Sequence, residues 1–263
     1  MTHLSHHAEL DAIRRLWRKS NQAEDLVQAK ERLCALRREF LYVLAVGHEL
    51  VLVLEKLGDV DGAVRALGEL ERQFKQLDEE MLCRWGKIFK KKGDTALSVR
   101  ADVTQALHDF AQAGKYYARA HEIHRGFYPR INELTLQFLQ AALQKDLEQH
   151  EESQRLLDDV RRKAQQMLAD ATVWRSRKDD DHVWLPATKG EAHVLAGDWR
   201  QASDRYLDAL AAARGQQFYA DCMRDQLKML LDACRRLGLV TEGGLADPDK
   251  FFTVPMSSET AGD

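Results

Sequence analysis

Apolar residues in this chain recur at i, i+3, i+4 and i+7 over most of its length, with charged and polar residues between them. That spacing is the mark of amphipathic helices, and no run of alternating β-branched residues bounded by turns competes with it. The pattern is clearest in V-W-L-P-A-T-K-G-E-A-H-V-L-A-G-D-W-R-Q-A-S-D-R-Y-L-D-A-L-A-A-A-R-G, from Val183 to Gly215. It predicts two helices folded back on each other. Gly190 falls where two backbones press together, Gly197-Asp198 makes the turn, and Ala202, Tyr206 and Ala209 form the buried stripe of the second helix. A pair of this kind keeps one uncovered apolar face and must stack on further pairs.

The same grammar extends along the chain. Glu9 to Lys19 reads as a short helix, with Leu10, Ile13, Leu16 and Trp17 on one side and Arg14, Arg15 and Arg18 on the other. Asn21 and Glu24 have the spacing of a capping box, and Ala23 to Arg38 carries Leu26, Ala29, Leu33 and Leu36 in helical register. Residues 1–40 are therefore expected to be N-terminal capping helices. Leu41 to Gln73 forms a first hairpin turning at Gly58-Asp59, with Ala63, Leu67 and Leu70 as its stripe. A second runs from Met81 to Ile123, its turn placed at Gly93-Asp94 and its second helix delayed by an insertion from Thr95 to Gln105 before Ala113, Tyr117 and Ala120. A third, Ile131 to Asp170, turns near Glu148 to Glu152 and carries Ser153, Leu157 and Val160. Arg175 to Asp181 is a charged linker without an apolar anchor, and Val183 to Gly215 is the fourth hairpin. Gln216 to Leu237 makes a final amphipathic helix stopped by Gly238. The expectation is an all-α solenoid over 41–240, of about four helix hairpins, followed by a disordered tail over 241–263 in which only Phe251-Phe252 has the means to dock on an apolar groove.

Composition narrows the function classes. The chain has 263 residues, 44% of them hydrophobic and 31% charged, enough for a core with solvated outer faces. A formal charge of −3 argues against nucleic acid as a partner. The most apolar stretch, Phe40 to Leu54, is short for a membrane span and contains His48 and Glu49, so no membrane partner is expected. Four widely spaced cysteines, Cys34, Cys83, Cys222 and Cys234, read as reduced thiols of a cytoplasmic protein. His3, His6 and His7 near the start read as solvated. His121 and His124 lack an evident third ligand, so no metal is expected. Phosphate loops, zinc-protease signatures and nucleophile elbows are missing, which argues against an enzyme and against a cofactor.

The recurring Gly, aromatic, Gly-Asp, Ala, Tyr, Ala signature resembles tetratricopeptide repeats. The resemblance implies a right-handed superhelix of helix pairs with a concave inner surface. More specifically, Leu82-Cys83 with Gly86-Lys87-Ile88-Phe89-Lys90, then Phe127 to Asn132 with Thr135, then Trp184 with Ala187-Thr188 and Glu191-Ala192 occur in order. They are similar to the tetratricopeptide-type sensor domain of apoptosis-signal-regulating MAP kinase kinase kinases, also called the TRAFs-binding domain, and to its bacterial relatives. In that family the first segment reads Gly-Arg-Ile-Tyr-Lys-Asp and the second Tyr-Pro-Gly-Ile-Asn. Here Lys87, Lys91 and Arg130 stand at three of those places. The resemblance implies a regulatory domain, with the bacterial forms linked to nucleotide-like signals in defence systems.

Helical spacing then assigns an inner wall. Lys87, Lys90, Tyr128, Asn132, Thr135, Trp184, Thr188 and Glu191 are the candidate ligand-binding residues of the concave groove, joined by His48, Glu55 and Phe138 and by Asp225, Lys228 and Asp232 of the last helix. Each has a plainer reading. Lys87 and Lys90 belong to a basic run, Tyr128-Pro129 and Asn132 start a helix, Trp184 packs between hairpins, Glu191 pairs with Lys87, and His193 is a satisfied core histidine. The function expected is a non-catalytic sensor or adaptor that holds a protein or peptide partner, or a small anionic ligand. The alternative is a receptor for a nucleotide-type signal in a bacterial defence or stress pathway. A homodimer is compatible with either.

Overall fold

A computed structural model describes residues 4–19, 22–74, 77–170, 172–174, 181–240 and 243–253. Those residues are helical, with no strand among them. The helices are α1 (Leu4–Lys19), α2 (Ala23–Glu39), α3 (Leu44–Lys56), α4 (Val60–Gln73), α5 (Glu79–Arg100) and α6 (Val103–His124). They continue with α7 (Phe127–Asp146), α8 (His150–Ala169), α9 (Asp181–Ala196), α10 (Trp199–Ala213), α11 (Gln217–Leu237) and the short α12 (Pro248–Phe251). The all-α solenoid of stacked helix pairs read from the sequence is the observed class. Packing separates the chain into two compact units, Met1–Ile88 and Phe89–Asp263. Asn21, the charged stretch 175–180, and 254–263 at the end of the expected tail lie outside the described residues.

In the first unit α1 packs on α2 and α3, α2 on α3, and α3 on α4. The stripes behave as their spacing requires: Leu26, Ala29, Leu33 and Leu36 of α2 are buried, and so are Ala63, Leu67 and Leu70 of α4. Asp59 caps α4 by accepting a hydrogen bond from Gly62 N at 2.8 Å. One polar residue departs from the pattern. Glu49 on α3 is fully buried and is held by Arg14 Nε and Arg18 Nη2 of α1, each at 2.9 Å. Two of the arginines expected on the outer side of α1 thus satisfy a buried carboxylate and fix α1 against α3.

The second unit corrects the position of one turn. The chain does not turn at Gly93-Asp94; α5 continues to Arg100 and turns at Ala101-Asp102. A lone glycine is tolerated inside a helix, and here it has a packing reason, since a Cβ at Gly93 would strike the buried ring of Phe110. The actual stop is marked by Ala101 at φ 51° and by Asp102, whose side chain accepts from Gln105 N at 2.9 Å to cap α6. Asp102 and Gln105 have the spacing of a capping box, so the signal stood within the supposed insertion.

Beyond that turn the pairs stack in order: α6 on α7, α7 on α8, α8 on α9, α9 on α10. The turn expected near Glu148–Glu152 falls at 147–149, with Glu151 and Glu152 already inside α8, and the chain turns at Gly197–Asp198 as expected, with Gly197 at φ +85°. A Cβ at Gly190 would lie 3.0 Å from the ring of Tyr206, so close approach there pits glycine against an aromatic face rather than against another small residue. α11 then leaves the stacking sequence. A further repeat would lie on α9 and α10, but α11 packs chiefly along α7 and touches α9 and α10 less. Its end is tied down where Lys145 Nζ donates to Leu237 O at 2.6 Å and Arg236 pairs with Asp146. The chain returns through a 3-10 turn at Gly244–Ala246 into α12. Leu245 and Phe252 are fully buried, Phe252 standing edge-on to Tyr206 at 5.3 Å, and Asp249 pairs with Lys228 of α11 at 2.7 Å. Phe252 thus packs into the second unit, and residues 243–253 of the expected tail form this turn and short helix.

Candidate functional site

The candidate residues fall into both units. In the first, polar positions on α3 and α5 form a ladder. His48 Nε2 lies 3.0 Å from Glu80 Oε1, Arg84 pairs with both Glu80 and Glu55, and Lys87 Nζ reaches Glu55 Oε2 at 3.9 Å. The hydrogen bond from His48 holds the Glu80 carboxyl down at about 2, with Arg84 adding to it. Lys87 is exposed, and its ion pair is with Glu55.

The second unit holds a different arrangement. Lys90 Nζ of α5 donates to Gln226 Oε1 of α11 at 3.3 Å, and Gln226 Nε2 donates to Glu191 Oε2 of α9 at 3.3 Å. A neutral amide thus links a cation and an anion that two other helices carry. Burial pushes the Glu191 carboxyl up to about 7, against the pull of Lys90 and the Gln226 amide. Burial also lowers the Lys90 ammonium, while Asp94 and Glu191 draw it back up. Asp94 is raised by desolvation, with Lys90 opposing. Tyr206 is fully buried, its hydroxyl makes no hydrogen bond among the described residues, and burial with nearby Glu191 raises it well above its ordinary value. Every member of this cluster bears a cost of desolvation that its partners only partly offset.

The remaining candidates serve the packing. Tyr128 is half-exposed at 49% and stands edge-on to Tyr117 at 6.2 Å, and Asn132 Nδ2 donates to Tyr128 O at 2.9 Å within α7. Thr135 and Thr188 are buried, at 0% and 5% exposure, and present no open surface. Trp184 packs edge-on against Tyr219 of α11 at 5.2 Å. His193 lies 3.7 Å from Asp198, and partial burial lowers its imidazolium. His121 Nδ1 sits 3.2 Å from Gly126 O at the end of α6. Among the described residues no group of three or more His, Cys, Asp or Glu is placed to hold a metal ion. The four cysteines are free thiols, and burial pushes that of Cys234 up to about 12.

Sequence reasoning missed Gln226 and the Tyr206 hydroxyl. Gln226 is a partly buried polar residue beside the apolar stripe of Met223, Leu227 and Leu230, and that position was its only signal. Tyr206 was read as a stripe residue, and its hydroxyl becomes conspicuous only once Glu191 is beside it.

Residues 9–137, from α1 into α7, match the family model of the Tetratricopeptide Repeats-Sensor. Over that stretch the chain is similar to a tetratricopeptide-type sensor domain. Such domains mediate the binding of partners and are generally non-enzymatic, which points to a sensor or adaptor role. None of the curated proteins matches the chain. Among the described residues no helix is long and apolar enough to cross a membrane.

Proposed function

We propose that this protein is a non-catalytic sensor or adaptor whose second unit detects a partner polypeptide or a small anionic ligand at the polar surface beneath α11 and reports its state to a separate effector. One observation carries this reading: among the described residues Gln226 bonds to both Lys90 and Glu191, with both charged groups displaced from their ordinary values by burial. Titratable groups perturbed by burial with a specific charge partner concentrate at functional sites. Replacing two bonds of 3.3 Å with direct contacts to a ligand is energetically accessible, since each charge-assisted hydrogen bond contributes about 1.5–3 kcal/mol.

The test is native mass spectrometry of freshly purified protein beside its Lys90→Glu variant. A polypeptide or small anion retained by the natural chain and lost from a folded variant supports the reading. A copurified polypeptide marks a scaffold, and a copurified nucleotide-type anion marks a receptor for such a signal. Equal retention by both proteins rejects Lys90 as part of the site.

A further inference from the structure

A cavity of about 530 Å³ opens at the turn between α9 and α10, and it shares no lining residue with the Lys90–Gln226–Glu191 set. Its size lies within the range of small-molecule sites, roughly 300–1,000 Å³. Leu195 from the end of α9, Phe138 from α7 and Leu239 beyond α11 provide apolar wall, and Trp199, the first residue of α10, adds an indole. Two guanidiniums line the same space, Arg161 from α8 and Arg200 from α10. Neither has a carboxylate partner among the described residues. The contrast with the next residue is informative: the more exposed Arg162 pairs with Asp159, while the partly buried Arg161 is left without an anion. Arg161 is partly buried and Arg200 exposed, so two guanidiniums without a carboxylate face the same space and can take an anion from solution. The one acidic residue of the lining, Asp198, is already engaged, accepting from Gln201 N at 3.1 Å and lying 3.7 Å from His193.

We propose that this cavity binds a small organic anion built on a planar ring, with its phosphate or carboxylate group between Arg161 and Arg200 and its ring against Trp199. Planar guanidinium forks match both head groups, and the indole supplies a flat apolar face. The site stands independently of the surface under α11, since it shares none of the residues Lys90, Gln226 and Glu191.

Isothermal titration of the full chain with phenyl phosphate, benzoate, inorganic phosphate and phenol tests it. Binding of phenyl phosphate or benzoate is expected, with inorganic phosphate and phenol each at least about tenfold weaker; the tighter aryl anion identifies the head group. Arg161→Met and Arg200→Met should each weaken the aryl anion about tenfold or more, the loss expected for one charge-assisted hydrogen bond. Trp199→Ala should weaken the aryl anion and leave inorganic phosphate unchanged. Arg200 is exposed, so its variant reads out binding even where Arg161→Met lowers the melting temperature. The proposal is overturned if neither aryl anion binds at millimolar concentration, or if Arg200→Met binds as the natural chain does.

Discussion

Glu80 and Glu191 are both glutamates on the first helix of a helix pair, one in each compact unit, and they titrate in opposite directions. Glu80 is held at about 2 and Glu191 is raised to about 7. The difference lies in what surrounds them. Glu80 stays half in water and has a histidine and an arginine in contact, so its charge is rewarded. Glu191 is covered by a helix that offers it only an amide, so its charge is penalised. A polar residue at a given place on a repeat therefore has no fixed electrostatic meaning. The partner that lies across it decides.

Breaking the cover is the strongest challenge to this contrast. Phe252→Ala removes a fully buried ring from Tyr206 and should destabilise the protein by about 3–4 kcal/mol in chemical denaturation. A loss below about 1 kcal/mol would mean that the segment after α11 does not seal the second unit. Next in size is the pH dependence of Glu191. Its folded pKa is raised from 4.5 to about 7, so the folded state holds the proton more tightly than the unfolded chain does. Stability should fall as pH rises from about 4.5 to about 7 and stay level above, by at most about 3 kcal/mol for this group. Glu191→Gln should remove that component from a profile of melting temperature against pH; an unchanged slope would show that the carboxyl is not desolvated. Glu80 should give the smallest effect, with the opposite sign. Its stabilisation is present above its ordinary value of 4.5 and is lost as pH falls toward about 2. Because the side chain is half-exposed, Glu80→Gln should cost below about 1 kcal/mol at neutral pH, read as a shallower acid limb of the same profile.

Much of the fold was legible because helical spacing and turn chemistry are local. The stripes Ala63-Leu67-Leu70, Ser153-Leu157-Val160 and Ala202-Tyr206-Ala209 are all buried or nearly so, as their spacing requires. The turn at Gly93 was misread because a glycine that makes room for Phe110 and one that ends a helix are the same letter. The site was legible only in part. Lys90 and Glu191 were chosen from their positions, and they do meet one network. The residue that joins them is Gln226, far along the chain and outside any motif. Arg161 and Arg200 escaped notice because each looks like an ordinary solvated arginine until the cavity at the turn between α9 and α10 is seen.

The sequence by itself determined the helices, most of their turns and the need to stack, because hydrogen bonding and the burial of an apolar stripe act within a few residues. Tertiary structure alone decided that α11 runs along α7 instead of extending the stack, and that a second buried ring reaches Tyr206 from Phe252. Those contacts join residues distant along the chain, and amphipathic spacing says that a face must be covered without saying by what. The charge state of Glu191 follows from that choice, since desolvation belongs to the cover and not to the residue.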